Sequence, residues 1–191
     1  MSSQVTICNQ SLLRIGSDTI NDIDEESAEA EACKMFYDDV RKSVLRAHPW
    51  NFATKTVDLG QDETALTGWT YAYTLPADCL RAVKIVPVTT SVDPLQFEIR
   101  QRTLVTEQDV PLTLLYVFDQ TDEGAFDHRF VEAFSYRLAA DLAMALTGNM
   151  HMQQQQYSLY QTVLADARGV DAGERRSTND DIGMDFINAR A

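Results

Sequence analysis

Three histidines, three cysteines and 29 acidic residues carry the reactive chemistry of this 191-residue chain, and their spacing decides what they can do. His48, His128 and His151 stand far apart, none at a helical i, i+3 or i+4 step from another histidine, so zinc-ligand patterns fail. Cys8, Cys33 and Cys79 show no CxxC spacing and leave an odd thiol. Cys8 and Cys33 fall on the apolar faces of predicted helices, where a reduced cysteine serves as a small hydrophobe. Of the adjacent carboxylates, Asp38 and Asp39 point to different faces of a helix, and Asp180 and Asp181 sit in aperiodic chain; neither pair offers positioned acid/base geometry. The carboxylates crowded into residues 17–26 lack the ligand spacing and turn glycine of a calcium loop. They suit instead the positive N-terminal end of the helix that follows. His48, directly before Pro49, complements the dipole at a helix C-terminus rather than acting as a general base. No phosphate-binding loop, dinucleotide fingerprint or nucleophile elbow occurs. The sequence therefore predicts no active site, no metal and no cofactor.

The elements that position these residues follow from periodicity. Val5, Cys8, Leu12 and Ile15 predict a first helix over residues 3–15, with Ser2 or Ser3 as N-cap and Gly16 as the stop. A second helix is expected over Ser27 to Ala47, its apolar stripe running through Ala28, Ala32, Phe36, Val40 and Val44 and widened by Cys33 and Met35. Pro49 ends it and redirects the chain, and Trp50 and Phe52 are expected to pin the new direction by burying themselves. From Phe52 to Phe118 the period changes to that of about five strands, with alternations at Tyr71, Tyr73 and Leu75, at Val83 and Ile85, and at Phe97 and Ile99, and a run from Leu112 to Phe118. Helix returns at Asp127, with Phe130, Phe134, Leu138 and Leu142 on one face and Thr147-Gly148-Asn149 as its end. A fourth helix buries Tyr157, Tyr160, Leu164 and Ala167 and stops at Gly169.

The expected fold class is α+β: an antiparallel bundle of about four helices, an inserted small antiparallel β domain and an extended C-terminal tail. Residues 1–52 and 119–168 form the discontinuous bundle, 53–118 the insertion, and 169–191 the tail. That tail ends in Ile182-Gly-Met-Asp-Phe-Ile-Asn-Ala-Arg190, apolar side chains tethered by a polar linker. Such a segment is expected either to order on a partner or to fold back onto its own bundle.

Composition narrows the function. Hydrophobic content of 45% and charged content of 24% are ordinary for a folded domain. No run approaches the roughly 18 apolar residues of a membrane span, and Met1-Ser-Ser-Gln does not open as a signal peptide does, so no membrane partner is expected. Sixteen basic residues against 29 acidic ones give a formal charge of −13, the opposite of the footprint that grips phosphates. Stable DNA binding is disfavoured; an acidic wall past which DNA slides is compatible with this charge.

Several segments together resemble the head-to-tail adaptors of tailed phages of the tail tubular protein A type. The densest match is Arg41 to Ala53, in Arg41, Leu45, His48, Pro49, Trp50, Asn51, Phe52 and Ala53. It is joined by Cys8-Asn-Gln-Ser-Leu-Leu-Arg-Ile-Gly16, by Glu29-Ala30 with Cys33 and Tyr37, and by Tyr73-Thr-Leu-Pro-Ala-Asp-Cys-Leu-Arg81. Leu138 to Gly148, Ala167-Arg168 with Asp171-Ala172 and Glu174, and Phe186-Ile-Asn-Ala-Arg190 continue it. Phe186 stands where the family pattern has tryptophan.

The resemblance implies a structural virion protein that forms a twelve-subunit ring beneath the portal, extends the DNA channel and provides the platform for the tail nozzle. Its implied partners are further copies of itself, the portal protein and a tail protein, with DNA passing through unbound. Arg41, Leu45, Arg46, His48, Pro49, Trp50 and Phe52 would join bundle to sheet. Ile182, Met184, Phe186, Ile187 and Arg190 would dock on the portal or a neighbouring subunit. The alternatives are a head- or tail-completion protein of a long-tailed phage and a non-enzymatic binding or regulatory protein.

Overall fold

A computed structural model of the protein describes residues 2–62, 68–86, 95–107, 109 and 111–174. It is an α+β structure with four helices and two three-stranded antiparallel sheets among the described residues.

Helix α1 (Gln4–Ile15) begins where the Ser3 hydroxyl accepts the Thr6 N–H at 3.2 Å and ends at Gly16, whose φ of 74° only glycine adopts without strain. Ser27 caps α2 (Ala28–Ala47) through the Ala30 N–H, and Asp127 caps α3 (His128–Leu142) through Arg129 and Phe130. A π-helical turn, Ala143–Thr147, extends α3 to Gly148, and α4 (Met150–Glu174) returns along it. The central α3 packs against α1, α2 and α4, presenting Phe130, Phe134, Leu138 and Leu142, all fully buried.

Two of the expected stripes are rotated. On α2 the buried positions are Ala30, Cys33, Tyr37, Val40, Arg41, Val44 and Leu45, while Met35 is 73% exposed. A strict four-residue step drifts round a 3.6-residue helix, whereas alternating steps of three and four stay on one face. On α4, Gln156 is buried and Tyr157 lies at the exposed edge. The amide of Gln156 donates to the Arg14 carbonyl at 3.1 Å, so a polar residue occupies the seam against α1.

The expected stop at Gly169 is also corrected. Helix α4 runs through Gly169 and Gly173 to Glu174. Each interior glycine costs about 1 kcal/mol of helix propensity, offset here by Asp171, which is buried and bonded to the segment after α2. Residues 169–174 therefore belong to the helical layer rather than to a tail.

In place of about five strands in one sheet there are six strands in two sheets among the described residues. Strands β1 (Thr54–Leu59), β6 (Leu112–Phe118) and β3 (Cys79–Val86) form the order β1-β6-β3; β2 (Tyr71–Thr74), β5 (Thr103–Thr106) and β4 (Phe97–Arg100) form β2-β5-β4. Strand β5 escapes a sequence reading because Gln101 turns the β4–β5 hairpin at φ 58°, a job normally left to glycine or asparagine. The sheets face each other across a core of Leu59, Tyr73, Leu104, Leu112, Leu114 and Tyr116.

The first sheet is also a wall of the helical core. Val117 lies in the helical cluster, one residue from Tyr116 in the sheet cluster, as period-two alternation requires. In β3 a register shift between Ala82 and Lys84 breaks that alternation. Val83 thereby packs on the helices and Ile85 on the second sheet, although two residues apart. No helix among the described residues is long and apolar enough to cross a membrane.

Candidate functional site

Helices α2, α3 and α4 and the first sheet converge where α2 ends. Pro49 bars His48 from helical geometry, and His48 sits at φ −147°, ψ 147°. The extended backbone swings Trp50 back under the helix it has just left. Its indole N–H donates to the Val44 carbonyl at 3.1 Å, and its ring is fully buried, so one of the last carbonyls of α2 is satisfied by the residue that follows the break. Trp50 meets Phe130 edge-on at 5.3 Å and His48 at 5.0 Å. Phe52, half-buried, meets Phe126 at 5.9 Å and Phe130 at 5.1 Å. Leu45 is fully buried in the same cluster. The chain then makes a 3-10 turn, Asn51–Ala53, and enters β1.

Polar contacts surround this aromatic centre on three sides. Towards α4, the Asp171 carboxylate accepts the Asn51 backbone N–H at 2.8 Å with one oxygen and lies 2.9 Å from His48 Nε2 with the other. The Asn51 amide donates to the Asp171 carbonyl at 2.9 Å, and Arg168 donates to the Ala47 carbonyl at 2.8 Å. Towards β3, Arg46 donates to the Leu80 carbonyl, and Arg81 donates to the Arg46 carbonyl at 2.8 Å. Towards the segment after β6, Arg41 donates to the Asp119 carboxylate at 2.5 Å and to the Gln120 carbonyl at 2.6 Å. Arg41 is only 3% exposed; its guanidinium is matched by a carboxylate and a carbonyl, as a buried charge requires.

Arg41, Leu45, Arg46, His48, Pro49, Trp50 and Phe52 thus lie along one joint, around which α2, α3, α4 and the first sheet meet. Sequence reasoning placed Asp171 in a tail and so missed it as the partner of His48 and Asn51. The signal was present: Tyr160, Leu164, Ala167 and Asp171 continue one helical stripe. Asp119, the partner of Arg41, carries no local signal, because it lies 78 residues away. The expected docking residues Ile182, Met184, Phe186, Ile187 and Arg190 lie outside the described residues.

Burial favours the uncharged form of Tyr37, Cys8 and Tyr160. Burial, reinforced by the Glu123 carboxylate that its hydroxyl contacts at 3.3 Å, pushes the Tyr37 phenol up. The neighbouring Cys33 thiol and burial push Cys8 up, and burial does the same to Tyr160. All three cysteines are free and buried. Among the described residues no group of three or more His, Cys, Asp or Glu side chains is placed to hold a metal ion. The joint's polar groups are directed at other segments of the same chain, which suits them to fixing geometry. Compared with known proteins, the chain matches no family model and no curated protein sequence.

Proposed function

We propose that this protein is a structural adaptor of a tailed-phage virion, a subunit of a ring that sits beneath the portal, lengthens the DNA channel and carries the tail nozzle. The four helices act as an antiparallel bundle that builds the ring wall, and the paired sheets project from it towards the tail. The acidic balance of the chain keeps phosphates from adhering to the channel.

One observation carries this reading beyond the motif itself. Two of the segments that resemble the adaptor family, Arg41 to Ala53 and Ala167 to Glu174, are more than a hundred residues apart in sequence, yet they are hydrogen-bonded to each other through Asp171, Asn51, Arg168 and Ala47. Residues that resemble a family pattern separately and also touch in space support that pattern more than either match alone. The test is removal of the C-terminal segment. A chain ending at Glu174 keeps the joint and should fold as the full chain does but fail to bind portal rings. Undiminished portal binding by that truncated chain would overturn the docking role of the terminal residues.

A further inference from the structure

Besides the joint, the molecule carries a cleft of about 270 Å³ between β3 and the β4–β5 hairpin, beside the last turn of α2. Three arginines line it, each from a different element: Arg46 from α2, Arg81 from β3 and Arg102 from the hairpin turn. Gln101, held at φ 58° in the left-handed region that side chains rarely adopt, precedes Arg102 in that turn. Arg102 donates to the carbonyls of Pro76 at 2.5 Å and Ala77 at 3.1 Å. Arg46 and Arg81 donate to Leu80 and to Arg46 itself.

Among the described residues these three guanidiniums donate to backbone carbonyls, and none of the three forms an ion pair. Elsewhere Lys34, Arg41, Lys55, Arg100, Arg129 and Arg137 each hold a carboxylate within 3.3 Å. In a chain with 29 acidic residues and 16 basic ones, three guanidiniums around one cleft, unpaired with any carboxylate among the described residues, are a concentration of positive charge with donors to spare. Planar forks of this kind recognise carboxylates.

We propose that the cleft receives the acidic stretch Asp18 to Glu31 of a second copy of this chain, forming the contact between adjacent subunits of the ring; this rests on the ring reading above. That stretch holds seven carboxylates and no lysine or arginine; Asp24 pairs with Lys34 of α2, and among the described residues the other six form no ion pair. It lies at the start of α2, whereas Arg46 is in the last turn of that 20-residue helix, roughly 30 Å away at the helical rise. The two patches cannot meet within one molecule. Joined between molecules, two different surfaces give a head-to-tail contact, the kind that propagates and closes into a ring.

The experiment is sedimentation of the full chain over a range of concentration and salt, free and with portal rings. Wild type is compared with Arg102→Glu, with the charge-preserving Arg102→Lys, and with Asp18→Lys/Glu26→Lys, whose two positions are exposed. Circular dichroism checks that each variant is folded. Wild type and Arg102→Lys should associate, more weakly as salt rises, and the two charge-reversed variants should each lose self-association by at least tenfold. An equimolar mixture of the two reversed variants retains one intact cleft and one intact acidic stretch, so it should associate more strongly than either variant alone. Reversed variants that form rings as wild type does would overturn the cleft contact and leave the ring reading standing. Self-association that the reversals abolish, without any portal binding by wild type, would keep the contact and remove the adaptor reading. A loss confined to portal affinity, with subunit association unchanged, would assign the cleft to the portal and overturn the proposal. Wild type that stays monomeric in every condition would overturn both.

Discussion

The Asp171 carboxylate accepts the backbone N–H of Asn51 at 2.8 Å, across 120 residues of sequence. Its other oxygen meets His48, so the end of the fourth helix is held against the break after the second. Replacing Asp171 by alanine strips Asn51 N–H and His48 of that partner in a buried setting, at a cost of about 2–4 kcal/mol. Urea unfolding should show this as a lower midpoint. Amide exchange should show faster protons over 169–174 than in the rest of α4, since the glycines there lose the contact that offsets their propensity. An unchanged midpoint and unchanged exchange would show that the helix end is held by something else.

Trp50 tests the aromatic centre. It is fully buried and contacts Phe130, Phe52 and His48 while its N–H closes the Val44 carbonyl. Trp50→Ala should destabilise the fold by about 3–5 kcal/mol. Trp50→Phe should cost less, because it keeps an aromatic ring but leaves the carbonyl without its donor. Thermal unfolding followed by far-ultraviolet circular dichroism separates the two, and equal losses would mean that the hydrogen bond rather than the packing dominates.

Where the chain is cut should matter sharply. A chain ending at Glu174 retains Asp171 with its bonds to Asn51 and should be more stable than one ending at Gly169 by about 2–4 kcal/mol. One ending at Gly169 loses Asp171 and should resemble Asp171→Ala in stability. Equal stability of the two truncations would contradict the place given to Asp171.

High pH should destabilise the protein in a defined window. The phenols of Tyr37 and Tyr160 have pKa values raised by burial above the ordinary 10.0. The raised folded-state values mean that the unfolded chain releases these protons first. The stability they confer is complete below the ordinary values and is lost as pH climbs through and beyond them. The urea midpoint should therefore be level from neutral pH to about pH 9 and fall above it. Replacing Tyr37 by phenylalanine should flatten part of that fall; an identical pH profile in the variant would contradict the burial of the phenol.

The helices were legible from sequence because their signals are local. Ser27, Asp127, Gly16 and Gly148 cap or stop them, and the phenylalanines of α3 repeat on one face. The errors came where a distant partner decides the outcome. Gly169 reads as a stop until Asp171 is known to be anchored by Asn51. Tyr157 looks buried until Gln156 is found against the Arg14 carbonyl. Strand β5 merges with β4 until Gln101 is seen to turn without a turn residue. The joint was legible as a place, from Pro49, Trp50 and Phe52, but its contacts to Asp119, Leu80 and Asp171 follow from tertiary packing that no local pattern encodes.

The central claim is that this chain assembles with a portal as a ring of identical subunits. Light scattering of the purified full chain, alone and mixed with portal rings of the same phage, measures it directly. The account predicts that the 21.5 kDa chain joins the portal in a twelve-to-twelve complex. A chain that keeps the mass of a monomer or dimer, whether or not portal and tail proteins are present, would contradict it.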